Sequence, residues 1–108
     1  MILSGKTIQR LGIITPCVER SHHERTGTSF GLSMGGYDVC LDQDVMVLSG
    51  YTTLASTREV FKMPKDVIGV VHDKSSWARR GLFVQNTVIE PGWEGYLTLE
   101  LTYSPVIS

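Results

Sequence analysis

The stretch from Tyr96 to Tyr103 alternates without interruption. Leu97, Leu99, Leu101 and Tyr103 fall on one side of an extended chain, and Tyr96, Thr98, Glu100 and Thr102 on the other. Successive strand side chains point to opposite faces, so only a strand gathers these leucines on one side. The leucine side belongs to a core. Glu100 therefore stands on a polar face, which meets solvent or lines a pocket. The same period of two runs back to Ser29. Phe30, Leu32 and Met34 alternate with small residues, Gly35-Gly36 reads as a turn, and Tyr37, Val39 and Leu41 alternate with Asp38, Cys40 and Asp42. Val45–Leu48, Val67–Val71 and Leu82–Val84 are short apolar runs and read as further strands. Short strands divided by Gly, Pro and Asp turns predict an all-β fold, either a sandwich, a jelly roll or a barrel.

Ahead of the strands, Ser4 to Gly12 predicts a short N-terminal helix. Ser4 can cap the first amides, Ile8 and Leu11 share a side, and Gly12 suits the position past the end. Residues 18–27 are polar and aperiodic and read as a loop. The 108 residues suit one domain, 1–108. No apolar run approaches the roughly 18 residues that span a bilayer, and the first residues do not resemble a signal peptide, so the expectation is a soluble, cytoplasmic protein with no membrane partner. Four Lys/Arg face five acids in residues 1–54, and each sign occurs six times in 55–108. Neither half has the basic excess of a polymeric nucleic-acid binder. A small anion held by a few placed cations stays open. Cys17 and Cys40 form no disulfide framework and read as small apolar side chains. His22-His23-Glu24 lacks a third ligand at metal-binding spacing and reads as solvated loop.

The segment Lys74-Ser75-Ser76-Trp77-Ala78-Arg79-Arg80-Gly81-Leu82 is unlike the rest. It has the grammar of one helical turn or two, with a serine at the start and Gly81 at the close. Two hydroxyls and Lys74 beside exposed amides suit an anion, with Arg79 returning to the side of Ser75. The same residues also read as a simple cap followed by solvated arginines. Downstream, Ile89-Glu90-Pro91-Gly92-Trp93-Glu94-Gly95 reads as a turn between two strands.

In this order and spacing the segments resemble the dCTP deaminase/dUTPase superfamily, and its deaminase branch most. The carrying residues are the opening Met1-Ile2-Leu3-Ser4, Gly36-Tyr37-Asp38-Val39, the segment 74–82, the turn 89–95, and Leu99-Glu100-Leu101. The resemblance implies a distorted β-barrel or jelly roll of the dUTPase-like type, forming a homotrimer with nucleotide sites between subunits. It implies a pyrimidine deoxynucleoside triphosphate as substrate, deaminated at C4 by water that Glu100 activates as general acid/base. Lys74, Ser75, Ser76 and Arg79 would hold the triphosphate, with Mg²⁺ bridging its oxygens and no metal held by the protein itself. Glu90, Gln85 and Asn86 would line the base and sugar pocket.

Five features depart from the family pattern. Lys74 stands where arginine is usual, and Glu90 where aspartate is usual. No arginine precedes Ile89, where the deaminases carry one, and the hairpin between Leu82 and Glu90 is short. The family's later strands and closing C-terminal arm have no counterpart before Ser108, which leaves an edge that association would cover. Two alternatives follow: a dUTPase-like diphosphatase in which Glu90 orients water, and a nucleotide-binding homologue without turnover.

Overall fold

The structure is a computed structural model and describes residues 1–107. The N-terminal helix forms as its caps dictate. α1 covers Gly5–Leu11, Ser4 accepts the Thr7 amide at 3.2 Å, and Gly12 takes the left-handed conformation with φ 66°. It docks through Gly5, whose amide donates to the Met34 carbonyl at 3.0 Å. Behind it lie β1 (Ile14–Thr15), β2 (Ser21–His22), β3 (Ser29–Ser33) and β4 (Gly36–Asp38). The remaining elements are β5 (Thr52–Lys62), β6 (Gly69–Val70), α2 (Ser75–Ala78), β7 (Leu82–Val84), β8 (Val88–Ile89) and β9 (Glu94–Tyr103).

The strands form three antiparallel ribbons of order β1-β5-β9-β7, β2-β3-β4 and β6-β8. Together they make a curled half-barrel, an all-β architecture of the type expected. Its spine is the long pair β5–β9. Ala55, Leu99 and Leu101 are buried at one end, while Ile13, Ile14, Phe61, Met63 and Ile89 form a second buried cluster. The concave side opens into a cleft of about 1330 Å³, floored by valines and leucines such as Val71, Leu97 and Leu99 and rimmed by polar residues. The half-barrel is thus apolar inside and open.

Strand β5 was not anticipated from sequence, because its inward positions are not uniformly apolar. Ala55 and Phe61 point inward, but so do Thr57 and Glu59, both 0% exposed. The β5–β9 register shifts between Ser56 and Val60, and Thr57 repairs the gap. Its hydroxyl accepts the Leu97 amide at 3.1 Å and donates to the Glu59 carbonyl at 2.8 Å. One side chain thereby satisfies two backbone groups at a bulge, where regular rungs fail.

Two expected strands are corrected. Val45–Leu48 is not a strand. Val45 and Val47 line the cleft, while Met46 and Leu48 face solvent at 81% and 55% exposure. An apolar run without a neighbouring strand has nowhere to place its backbone hydrogen bonds, so it stays irregular. Of Val67–Val71 only Gly69–Val70 pairs, with Val88–Ile89, and Ile68 is exposed. Similarly, β4 ends at Asp38, after which Cys40 is held by a side chain and Leu41 by an isolated bridge to Thr57. Within the expected loop 18–27, Ser21–His22 forms a short rung with β3.

Candidate functional site

α2 begins after Lys74, which occupies the N-cap position without a side-chain capping bond, so neither serine caps the helix. The turn closes through Arg79, whose amide donates to the Ser75 carbonyl at 3.0 Å, and Gly81 leaves it with φ 92°. Ser75 and Arg79 are exposed, and Arg79 has no ion-pair partner among the described residues. Ser76 is different: its hydroxyl oxygen is buried and has no hydrogen-bond partner among the described residues. Asp73 fastens this turn to β7 by accepting the Val84 amide at 2.6 Å. Trp77 packs within the turn, under the Arg80 guanidinium 5.0 Å from its ring centre.

Lys74 turns away from the serines. Its ammonium donates to Ser29 Oγ at 3.0 Å and to Asp38 Oδ2 at 2.8 Å. Arg20 meets the same two residues, reaching Ser29 at 2.8 Å and Asp38 at 3.4 Å. Sequence reasoning did not place Asp38, Ser29 or Arg20 at a site. The signal available was Asp38 on the polar side of an alternating strand, which requires a cation once that side is half-buried.

Glu100 sits on the outer face of β9, opposite Leu54 of β5, with its side chain exposed. Its backbone is held closely from the other side. The Gln85 amide donates to the Glu100 carbonyl, and Asn86 Oδ1 accepts the Glu100 amide, both at 2.8 Å. Asn86 Nδ2 also donates to the Thr98 carbonyl at 2.9 Å. Gln85 and Asn86 are thus brought to Glu100, through its main chain. Glu90 lies apart, exposed beyond β8, where its carbonyl accepts the Trp93 amide at 3.2 Å and closes the expected turn.

Within one chain these residues form two groups. Lys74 lines the large cleft, whereas Ser75, Ser76, Arg79, Gln85, Asn86, Glu90 and Glu100 line neither of the two principal clefts. α2 packs on β7, and β7 pairs with β9, so the hydroxyl-bearing turn and Glu100 are joined through a single short strand. Such an arrangement presents a hydroxyl-bearing turn and a carboxylate from one sheet edge without enclosing either.

A buried acid lies elsewhere, at Glu59. Burial pushes its carboxyl above the ordinary carboxylate range, opposed by the Cys40 amide and by Arg58 3.6 Å away. Burial also raises the Cys40 thiol, which rests 3.8 Å from His23 Nε2. Among the described residues no group of three or more His, Cys, Asp or Glu side chains could hold a metal ion. Among the described residues no helix is long and apolar enough to cross a membrane.

Comparison with known proteins agrees with the motifs. Residues 36–106 match a family described as dCTP deaminase-like. The dCTP deaminase of Anaplasma marginale (strain Florida) is 35% identical over 121 aligned residues, covering 84% of this chain and 64% of the relative. That of Pseudomonas putida (strain W619) is 34% identical over 137, covering 94% and 73%. A third, from Wolbachia of Brugia malayi, is 32% identical over 124, covering 87% and 66%. The chain therefore spans just under two thirds of the Anaplasma relative, at 64%. The aligned stretches exceed the chain's own 108 residues, so these relatives carry internal segments that it lacks.

Proposed function

The chain belongs to the dCTP deaminase-like family, and on that premise we propose that it converts dCTP to dUTP and ammonia, with Glu100 as the acid/base. One observation carries the reading. The family match at 36–106 contains Lys74, Ser75, Ser76, Arg79, Glu90 and Glu100, with Glu100 exposed on a backbone hydrogen-bonded from its edge side.

In this reading the Glu100 carboxylate takes a proton from water as the oxygen bonds to C4 of cytosine. Glu100 delivers that proton to N3, leaving a tetrahedral C4 that bears hydroxyl and amine, and then takes the hydroxyl proton and passes it to the exocyclic nitrogen. Ammonia then leaves with the C–N electron pair, and C4 becomes a carbonyl. A carboxylate serves both steps when its site is shielded from water, because desolvation moves its pKa toward neutrality. In the single chain Glu100 is exposed, so that shielding would come from a second copy of the chain, consistent with a homotrimer whose sites lie between subunits.

Ser75, Ser76 and Arg79 would receive the triphosphate. The unpartnered buried hydroxyl of Ser76 fits a role as donor to a phosphate oxygen. Mg²⁺ would arrive on the triphosphate, neutralising its charge, because magnesium is commonly held by substrate phosphates and few protein ligands. Lys74 would contribute positive potential from its place beside Asp38. Glu90, at the end of β8, would contact the sugar.

The test is product analysis with Mg²⁺ and each pyrimidine deoxynucleoside triphosphate, scoring ammonia and pyrophosphate separately. Ammonia from dCTP, abolished by Glu100→Gln with nucleotide binding retained, supports the reading. Pyrophosphate from dUTP without ammonia would move the chemistry to Glu90. Nucleotide binding without either product would make the chain a non-catalytic homologue.

A further inference from the structure

β7 is the edge strand beside β9, and its ladder has rungs at Leu82–Tyr103, Phe83–Thr102 and Val84–Leu101. The rungs stop one residue short of Glu100. Beyond Gln85 the main chain leaves this edge, and the Thr87 carbonyl accepts the Val71 amide instead, on the way into the β6–β8 ribbon. A departing strand ordinarily leaves the next backbone groups of its neighbour unpaired. Here the Asn86 carboxamide takes the strand's place, accepting from the Glu100 amide at 2.8 Å and donating to the Thr98 carbonyl at 2.9 Å.

We propose that Asn86 is a positioning residue for Glu100, its carboxamide acting as the last rung of the β7–β9 edge and fixing the backbone from which the carboxylate is presented. The inference rests on the reading of Glu100 as the acid/base. It gives Asn86 a task other than reading the base: one amide N–H and one carbonyl lone pair are already committed to β9. The residues that face Glu100 from the neighbouring strands are Thr52, Leu54 and Ser56 of β5 and Phe83 of β7, followed by Gln85 and Asn86, none of them charged. A carboxylate introduced at position 86 would therefore be the one charge set against Glu100 from these elements. That provides a readout specific to positioning.

The experiment compares kcat, KM and the pH profile for dCTP deamination in the full chain, in Asn86→Ala and in Asn86→Asp. Asn86→Ala is expected to lower kcat about 10- to 100-fold with KM changed less than about threefold, since a displacement near an ångström costs that much. Asn86→Asp retains an acceptor for the Glu100 amide, loses the donor to Thr98, and adds a negative charge. It is expected to keep more activity than Asn86→Ala and to move the acidic limb of the kcat profile to higher pH, because one negative charge disfavours a second beside it. No ammonia from the unmodified chain overturns the reading of Glu100, and the positioning role with it. Ammonia from the unmodified chain with kcat unchanged in Asn86→Ala overturns the positioning role alone. So does an unshifted acidic limb in Asn86→Asp, the variant that also decides the matter should Asn86→Ala fail to fold.

Discussion

Both carboxylate oxygens of Glu59 lie 3.1 Å from the backbone nitrogen of Cys40, and the glutamate side chain is 0% exposed. A central residue of β5 thus anchors the chain where it leaves β4. An acid in this position depends on its hydrogen bonds, since water cannot reach it.

The Glu59 carboxyl is raised above its ordinary value of 4.5, chiefly by burial. The unfolded chain loses this proton first as pH rises, so the folded state holds more protons in that window. The Glu59 contribution to stability is full below the unfolded value and is lost as pH rises through the folded one. Urea unfolding of the wild type and Glu59→Gln from pH 4 to 8 should show the wild type losing stability relative to the variant as pH rises above about 4.5. A difference independent of pH would refute this.

Thr57→Val removes the hydroxyl that serves the Leu97 amide and the Glu59 carbonyl while keeping the side chain's shape. Stranding two buried backbone groups should cost about 2–3 kcal/mol in chemical denaturation. Thr57→Ser should cost under about 1 kcal/mol, because the hydroxyl survives. Equal losses in both variants would mean that the methyl group, not the hydrogen bonds, matters.

Two glycines with positive φ should respond differently to alanine. At Gly12, φ 66°, an added Cβ meets nothing within 4 Å, and the expected cost is the backbone strain alone, about 1 kcal/mol. At Gly81, φ 92°, the Cβ would overlap the carbonyl oxygen of Ser104, whose amide donates to the Gly81 carbonyl at 2.8 Å. Gly81→Ala should therefore open the start of the β7–β9 edge and lower the melting temperature far more than Gly12→Ala. Similar melting temperatures would contradict the close approach.

Ser76→Ala deletes a hydroxyl with no partner among the described residues. Thermal stability should hold or rise slightly, because a buried polar group without a bond is a liability. Affinity for dCTP with Mg²⁺, measured by titration calorimetry, should fall about 5- to 10-fold, the equivalent of one hydrogen bond. Unchanged affinity would remove Ser76 from the phosphate site.

Much of the site was legible locally. The period of two identified β9 and put Glu100 on its polar face, and Ser4 and Gly12 bounded α1 as expected. The turn at 89–95 formed where Pro91 and Gly92 place it. Asp38 was visible as an acid on a polar strand face, but its partners Lys74 and Arg20 lie far along the chain in opposite directions. Asn86 gave no local sign of its bonds to Thr98 and Glu100, because a polar residue in a short loop has many possible partners.

Alternation, caps and turn residues act between near neighbours, so the chain's order alone settled its β class and its opening helix and nominated the residues of the candidate site. Pairing and burial act between distant segments. Val45–Leu48 has the apolar content of a strand and remains irregular because no strand lies alongside it, while β5 carries Thr57 and Glu59 on its inner face and is the longest strand. Their polarity is tolerated only because Leu97 and Cys40, 40 and 19 residues away, arrive to be hydrogen-bonded. A backbone group satisfied by a remote side chain leaves no local pattern, and folding alone decides it.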